Sequence, residues 1–80
     1  MTQAAAPLLT IDARGLNCPL PVLRLRKRMK NLAAGAEVEL LATDRAALRD
    51  VPAFCEAQGH QFMRVAEAGG ALRFLIRKAS

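Results

Sequence analysis

Apolar positions recur along this chain with two different periods, and each change of period marks an element. "LLTIDA" (8–13) is apolar and partly β-branched, which predicts a short strand. From about Pro19 to Leu32 the spacing turns helical, with Val22, Leu25, Met29, Leu32 and Ala33 on one stripe, the face a helix buries. Gly35 stands where helices commonly end. "EVELLA" (37–42) predicts the second strand, and strand, helix and strand in so short a span predict a right-handed parallel crossover. Thr43 or Asp44 can cap a second helix over 45–59, with Leu48, Val51, Phe54 and Cys55 on its inner face. Pro52 is awkward inside that helix. It fits the first position of a new turn capped by Asp50, so a break or kink is expected there. Gly59 closes the helix. "HQFMRVAEA" (60–68) and "ALRFLIRK" (71–78) are strands joined by Gly69-Gly70, a hairpin signal. Leu72, Phe74 and Ile76 alternate with Arg73, Leu75 and Arg77, so one face of the last strand is the more buried.

The order is βαβαββ, and the simplest fold class that accommodates it is an α/β two-layer sandwich. It has a four-stranded mixed sheet with both helices on one face. Residues 1–7 read as a disordered tail and 8–80 as a single domain. No apolar run approaches the ~20 residues of a membrane span, and "MTQAAAP" lacks the pattern of a signal peptide. The expected location is the cytoplasm.

Size and cysteine usage narrow the chemistry. Eighty residues bury a limited core, so chemistry is expected on the surface or jointly with a partner. The two cysteines, Cys18 and Cys55, form no disulfide scaffold, and the lone His60 has no companion at zinc-ligand spacing; no metal or cofactor is expected. His60 reads as a strand-start residue. Charge then singles out one region. The net charge is +5, yet residues 13–36 hold Arg14, Arg24, Arg26, Lys27, Arg28 and Lys30 and no acid. The other six basic residues are outnumbered by seven acids, so the positive excess surrounds and follows Cys18. An acidic partner surface or a nucleic acid would suit it. No aromatic residue lies in that segment to stack on unpaired bases.

The stretch "GLNCPLP" (15–21) places Cys18 before two prolines. Pro19 biases Cys18 toward extended backbone, and an extended residue before a helix is an N-cap. Pro19 and Pro21 have no N–H to donate, so a sulfur placed there is oriented yet little held by first-turn donors. Pro21 in turn disfavours helical geometry at Leu20, so the regular helix can begin as late as Pro21. The helix dipole and the six cations are expected to lower the thiol pKa. Leu20 and Leu23 lie off the buried stripe beside Arg24 and Lys27, a pattern that suits protein docking. Asp12 and Arg14 flank the loop, where they can hold its shape or meet a partner. Cys55 shares a face with Val51 and Phe54 and reads as a packed, inert cysteine, with a resolving thiol for Cys18 as the alternative.

The chain resembles the TusA/SirA-like family of small sulfur carriers. The likeness runs through "DARGLNCPLPVLRLRK" with its Cys-Pro-x-Pro motif, then "LATD", "RDVPAFCEAQGH" and the closing "FLIRK". Gly15, Pro19 and Pro21 match the motif, and the "GLNCPLP" form is closer to the TusA-like branch than to branches with a glycine inside the motif. The resemblance implies the βαβαββ fold, shared with the C-terminal domain of a translation initiation factor. It also implies that Cys18 accepts sulfane sulfur as a persulfide from a cysteine desulfurase or rhodanese-type donor. The sulfur then passes to a downstream relay protein, with 2-thiolation of wobble uridine in tRNA as the best-known destination. Molybdenum-cofactor assembly and sulfur oxidation are others. Such a protein is a carrier, a monomer when free, more than a turnover enzyme. Leu20 is apolar where some members carry an acid, which bears on partner choice. Persulfide exchange needs an attacking thiolate and no metal. The competing readings are a basic nucleic-acid-binding module and a regulatory partner-binding module.

Overall fold

A computed structural model describes residues 8–79, so the N-terminal tail expected over residues 1–7 lies outside the described residues. Six elements follow one another: β1 (Leu8–Ala13), α1 (Leu20–Met29), β2 (Glu37–Ala42), α2 (Ala47–Gln58), β3 (Gln61–Ala68) and β4 (Ala71–Arg77). They form the expected βαβαββ order around a four-stranded mixed sheet of order β1-β2-β4-β3. β1 and β2 run parallel across the α1 crossover, while β4 is antiparallel to both β2 and β3.

Register explains the core. Ile11 lies opposite Leu40 and Leu40 opposite Phe74, and Ala13, Ala42 and Leu72 form the next row. Because side chains alternate across a strand, all of these point to one face, where Leu25 and Met29 of α1 and Val51 and Cys55 of α2 complete a single buried cluster. The other face carries cross-strand ion pairs, Arg77 with Glu37 at 2.9 Å and Arg73 with Glu39 at 3.2 Å. Gly69 and Gly70 both take positive φ (60° and 79°), which is the backbone a two-residue hairpin needs and which glycine adopts without strain. A bulge between Phe62 and Arg64 shifts the β3 register by one residue.

Four local expectations need correction. α1 ends at Met29, three residues before the predicted Leu32, with Lys30 as its C-cap. Gly35 therefore does not cap it; its N–H bonds the Lys78 carbonyl at 2.9 Å, starting the pairing of β2 with β4. The buried stripe of α1 is Pro21, Leu25 and Met29, with Val22 half-buried and Ala33 exposed beyond the helix end. α2 buries Ala47, Val51 and Cys55, four residues apart, and this rotation leaves Leu48 37% exposed. Finally, α2 runs unbroken through Pro52. Gly59 does close α2, in left-handed geometry, and the His60 N–H caps the Cys55 carbonyl at 2.9 Å.

Candidate functional site: a thiol between two helices

The loop from Arg14 to Pro19 joins β1 to α1 and carries Cys18. Its form is set by short hydrogen bonds at both ends. The Asp12 carboxylate accepts from the Arg14 backbone N–H (3.0 Å) and from its Nε and Nη2 (2.9 and 3.0 Å), a forked pair that turns the chain out of the strand. With Arg14 beside it, Asp12 is held down to a pKa of about 2. Arg24 reaches back from α1 to the Asp12 carbonyl at 2.9 Å. Gly15, at φ 81°, donates its N–H to Thr43 Oγ1 at 3.0 Å. Cys18 donates its own N–H to Asp44 Oδ2 at 2.7 Å. Asp44 also accepts the Ala46 N–H at 3.0 Å, so one carboxylate ties the turn ahead of α2 to the cysteine loop; neither it nor Thr43 caps the helix as expected, because the N-cap is Ala46 with no side-chain cap bond. Those two N–H donors hold Asp44 below the ordinary carboxylate value.

Cys18 is exposed, but its sulfur is not free. Sγ donates to Asp50 Oδ2 at 2.9 Å, and the other oxygen of Asp50 accepts from Arg49 Nε at 3.1 Å. The thiol pKa is therefore raised, first by this hydrogen bond, then by desolvation and by the negative charges of Asp50 and Asp44, with Arg49 opposing. This reverses the lowered value expected from the sequence. The reason is geometric. Pro19, not Cys18, is the N-cap of α1, with no side-chain cap bond, and the peptide between them is cis. The sulfur instead faces the first turn of α2, where the charges that act on it are Asp50, Asp44 and Arg49 rather than the cations of α1. Asp50 in turn is lowered, mainly by the thiol and Arg49.

Two surfaces flank the thiol. A shallow, largely apolar cup is lined by Cys18, Pro19, Val22, Asp50, Ala53 and Phe54. On the other side of α1, a groove along the edge strand β1 is lined by Thr10, Asp12, Leu16, Leu20, Leu23, Arg24, Lys27 and Arg28. Leu20 and Leu23, each 48% exposed, form its apolar part with Leu16, so four of the five residues expected at a docking surface, Leu20, Leu23, Arg24 and Lys27, line one groove. Arg14 does not line that groove, and its guanidinium is committed to Asp12.

Cys55 sits 1% exposed in the core, where burial pushes its thiol up to about 11; it packs and does not face the loop cysteine's cup. His60 accepts the Ala79 N–H through Nδ1 at 3.1 Å and packs against Phe54 with ring centres 5.7 Å apart and the planes tilted by 44°, an architectural role at the start of β3. Among the described residues no group of three or more His, Cys, Asp or Glu is placed to hold a metal ion. Asp50 and Arg49 are the site residues the sequence did not single out. Asp50 reads locally as a helix-start acid, and only the fold brings it to a cysteine 32 positions away.

The structure is thus a small two-layer α/β domain that holds one exposed thiol on an anchored loop, with a shallow cup rather than a deep pocket at the sulfur. The chain belongs to the TusA family: the family described as Sulfurtransferase TusA matches residues 9–78. Curated relatives include the sulfur carrier protein TusA of Pseudomonas putida (strain GB-1), 43% identical over 72 residues, which are 90% of each chain. The sulfur carrier protein TusA of Allochromatium vinosum is 41% identical over 69 residues, 86% of this chain and 91% of the relative. The crystal structure of a SirA-like protein from Desulfitobacterium hafniense superposes with a TM-score of 0.78 at 29% identity, covering 90% of this chain and 99% of that one.

Proposed function

We propose that this chain carries sulfane sulfur as a persulfide on Cys18, taking it from a cysteine desulfurase or rhodanese-type donor and passing it to a relay protein. One observation carries the reading: Cys18 is the exposed cysteine, on a loop pinned by Thr43 and Asp44, with an open cup beside its sulfur. The relatives named sulfur carriers support it, since they match across nearly the whole chain, the loop included. Exchange between persulfide and thiol conserves oxidation state overall, so donor, carrier and acceptor can act in series with no cofactor. Leu20 and Leu23 offer apolar contact and Arg24 and Lys27 positive charge, which suits an acidic-rimmed partner approaching along the β1 edge. We place the carrier in the cytoplasm and favour tRNA 2-thiouridine synthesis as the destination. Among the described residues no helix is long and apolar enough to cross a membrane.

The test is intact mass after incubation with a cysteine desulfurase and cysteine. A reductant-labile adduct of one sulfur is expected in the parent and in Cys55→Ala, and none in Cys18→Ala. An adduct that survives Cys18→Ala would sink the assignment.

A further inference from the structure

The contact between Cys18 and Asp50 is the feature that a simple activated-thiol picture leaves without a role. A carboxylate 2.9 Å from a sulfur accepts a hydrogen bond only if the sulfur keeps its proton. Resting on the carrier reading above, we propose that Asp50 acts as a positioning residue that favours the empty form of the carrier: it holds Cys18 while the cysteine is a thiol and loses that contact once the cysteine bears sulfur.

The chemistry of loading shows why. Cys18 gives up its proton and attacks the outer sulfur of a donor persulfide. A bond forms between Sγ and that sulfur, and the donor's own S–S bond breaks. The bonding pair leaves on the donor's inner sulfur, which then takes up a proton. Nothing is oxidised or reduced overall. In the product, Sγ lies between carbon and sulfur and has no hydrogen to donate, so Asp50 accepts nothing from it. The added sulfur extends the side chain by about 2 Å. A persulfide also ionises more readily than a thiol, so its outer sulfur is repelled by Asp50 and Asp44. The open cup beside the sulfur, lined by Pro19, Val22, Ala53 and Phe54 as well as Asp50, gives the longer side chain room against its apolar wall, where the Phe54 ring is an apolar neighbour for a polarisable sulfur. Asp50 has a second partner in Arg49, at 3.1 Å, a bond that does not depend on the thiol proton. A contact made in only one of two states shifts the balance toward that state. Here it shifts the balance toward release, which is what a relay requires, and it keeps the unloaded thiol protonated and slow toward chance electrophiles. The charged groups that bear on the sulfur are Asp50 and Arg49 from α2 and Asp44 from the preceding loop.

Two measurements test this on the full chain, with folding of each variant checked by circular dichroism. In the first, the rate of iodoacetamide alkylation at Cys18, located by peptide mass, is followed against pH. Asp50→Asn is expected to move the midpoint to lower pH and raise the rate at pH 7.5 several-fold, while Arg49→Ala moves the midpoint up. Opposite signs at neighbouring residues are not what a merely structural contact produces. In the second, the proteins are equilibrated with glutathione persulfide and glutathione, and the ratio of loaded to empty Cys18 is read by mass. Asp50→Asn is expected to raise that ratio several-fold. An unshifted or raised midpoint in Asp50→Asn, or an unchanged ratio, overturns the proposal alone. A parent protein that never loads overturns the carrier reading and this proposal with it.

Discussion

Asp12, Asp44 and Asp50 set the presentation of Cys18, and each does so through hydrogen bonds it accepts as an anion. All three titrate below the ordinary carboxylate value, Asp12 at about 2. A carboxylate lowered in the folded state stabilises the fold above its unfolded pKa and loses that effect as pH falls through the folded value. These contacts are therefore intact at neutral pH and fail from about pH 4 downward, Asp12 last, near pH 2. Acid titration followed by far-UV circular dichroism should show this, and Asp44→Asn should weaken the dependence because its contribution no longer titrates. Cys55 has the opposite sign. Its buried neutral thiol stabilises the fold below the ordinary value of 9.0, an effect lost as pH rises toward about 11. At neutral pH, maleimide should label Cys18 in the native protein and Cys55 only after denaturant is added. Rapid native labelling of Cys55 would contradict its place in the core. The exposed cysteine is legible in the sequence, because a Cys-Pro-x-Pro run ahead of a helical stripe is a local signal. Its partner is not: Asp50 lies 32 positions away, and a hydrogen bond across that separation exists only once α2 is docked.

Strands proved more legible than helix ends, for a physical reason. Alternation has a period of two, so Leu72, Phe74 and Ile76 could face only one way, and the core agrees. Helical stripes are broader, and a small rotation trades one apolar residue for another. α2 buries Ala47 and leaves Leu48 37% exposed, a rotation of the stripe that apolar spacing alone does not fix. Pro52 is the clearest departure from local preference. It is the sixth residue of α2 and removes the bond that its N–H would have made to the Leu48 carbonyl, yet the helix continues on the packing of Val51 and Cys55. Tertiary burial has overridden propensity there, so the cost should be recoverable. Pro52→Ala is expected to stabilise the fold by about 1–3 kcal/mol, read from the midpoint of urea unfolding. A lower midpoint would mean that the ring itself packs in a way that outweighs the missing bond.

The molecule as a whole divides its charge unevenly. The five carboxylates Asp12, Glu37, Glu39, Asp50 and Glu67 each pair with an arginine outside α1. Arg24, Arg26, Lys27, Arg28 and Lys30 form no salt bridge among the described residues, and of the other cations only Arg64 and Lys78 share that state, so most of the unpaired positive charge lies on α1 and its C-cap. None of these cations is among the charges that shift the thiol, while Leu20, Leu23, Arg24 and Lys27 line one groove, a surface suited to encounter with a partner. Charges at a docking rim govern association rate and its salt dependence more than the chemistry that follows. Arg24→Glu with Lys27→Glu should therefore slow loading by a desulfurase at least several-fold at low ionic strength. The parent should approach the double variant as salt rises toward 0.5 M, where the screening length is only a few ångströms. Loading by glutathione persulfide, which needs no protein docking, should change little in the same variant. If both donors slow equally, the helix charge acts on the thiol after all. If loading by the desulfurase is untouched while binding of tRNA collapses, the free charge of α1 serves nucleic acid rather than a protein partner, and the salt slope of that binding counts the phosphates involved.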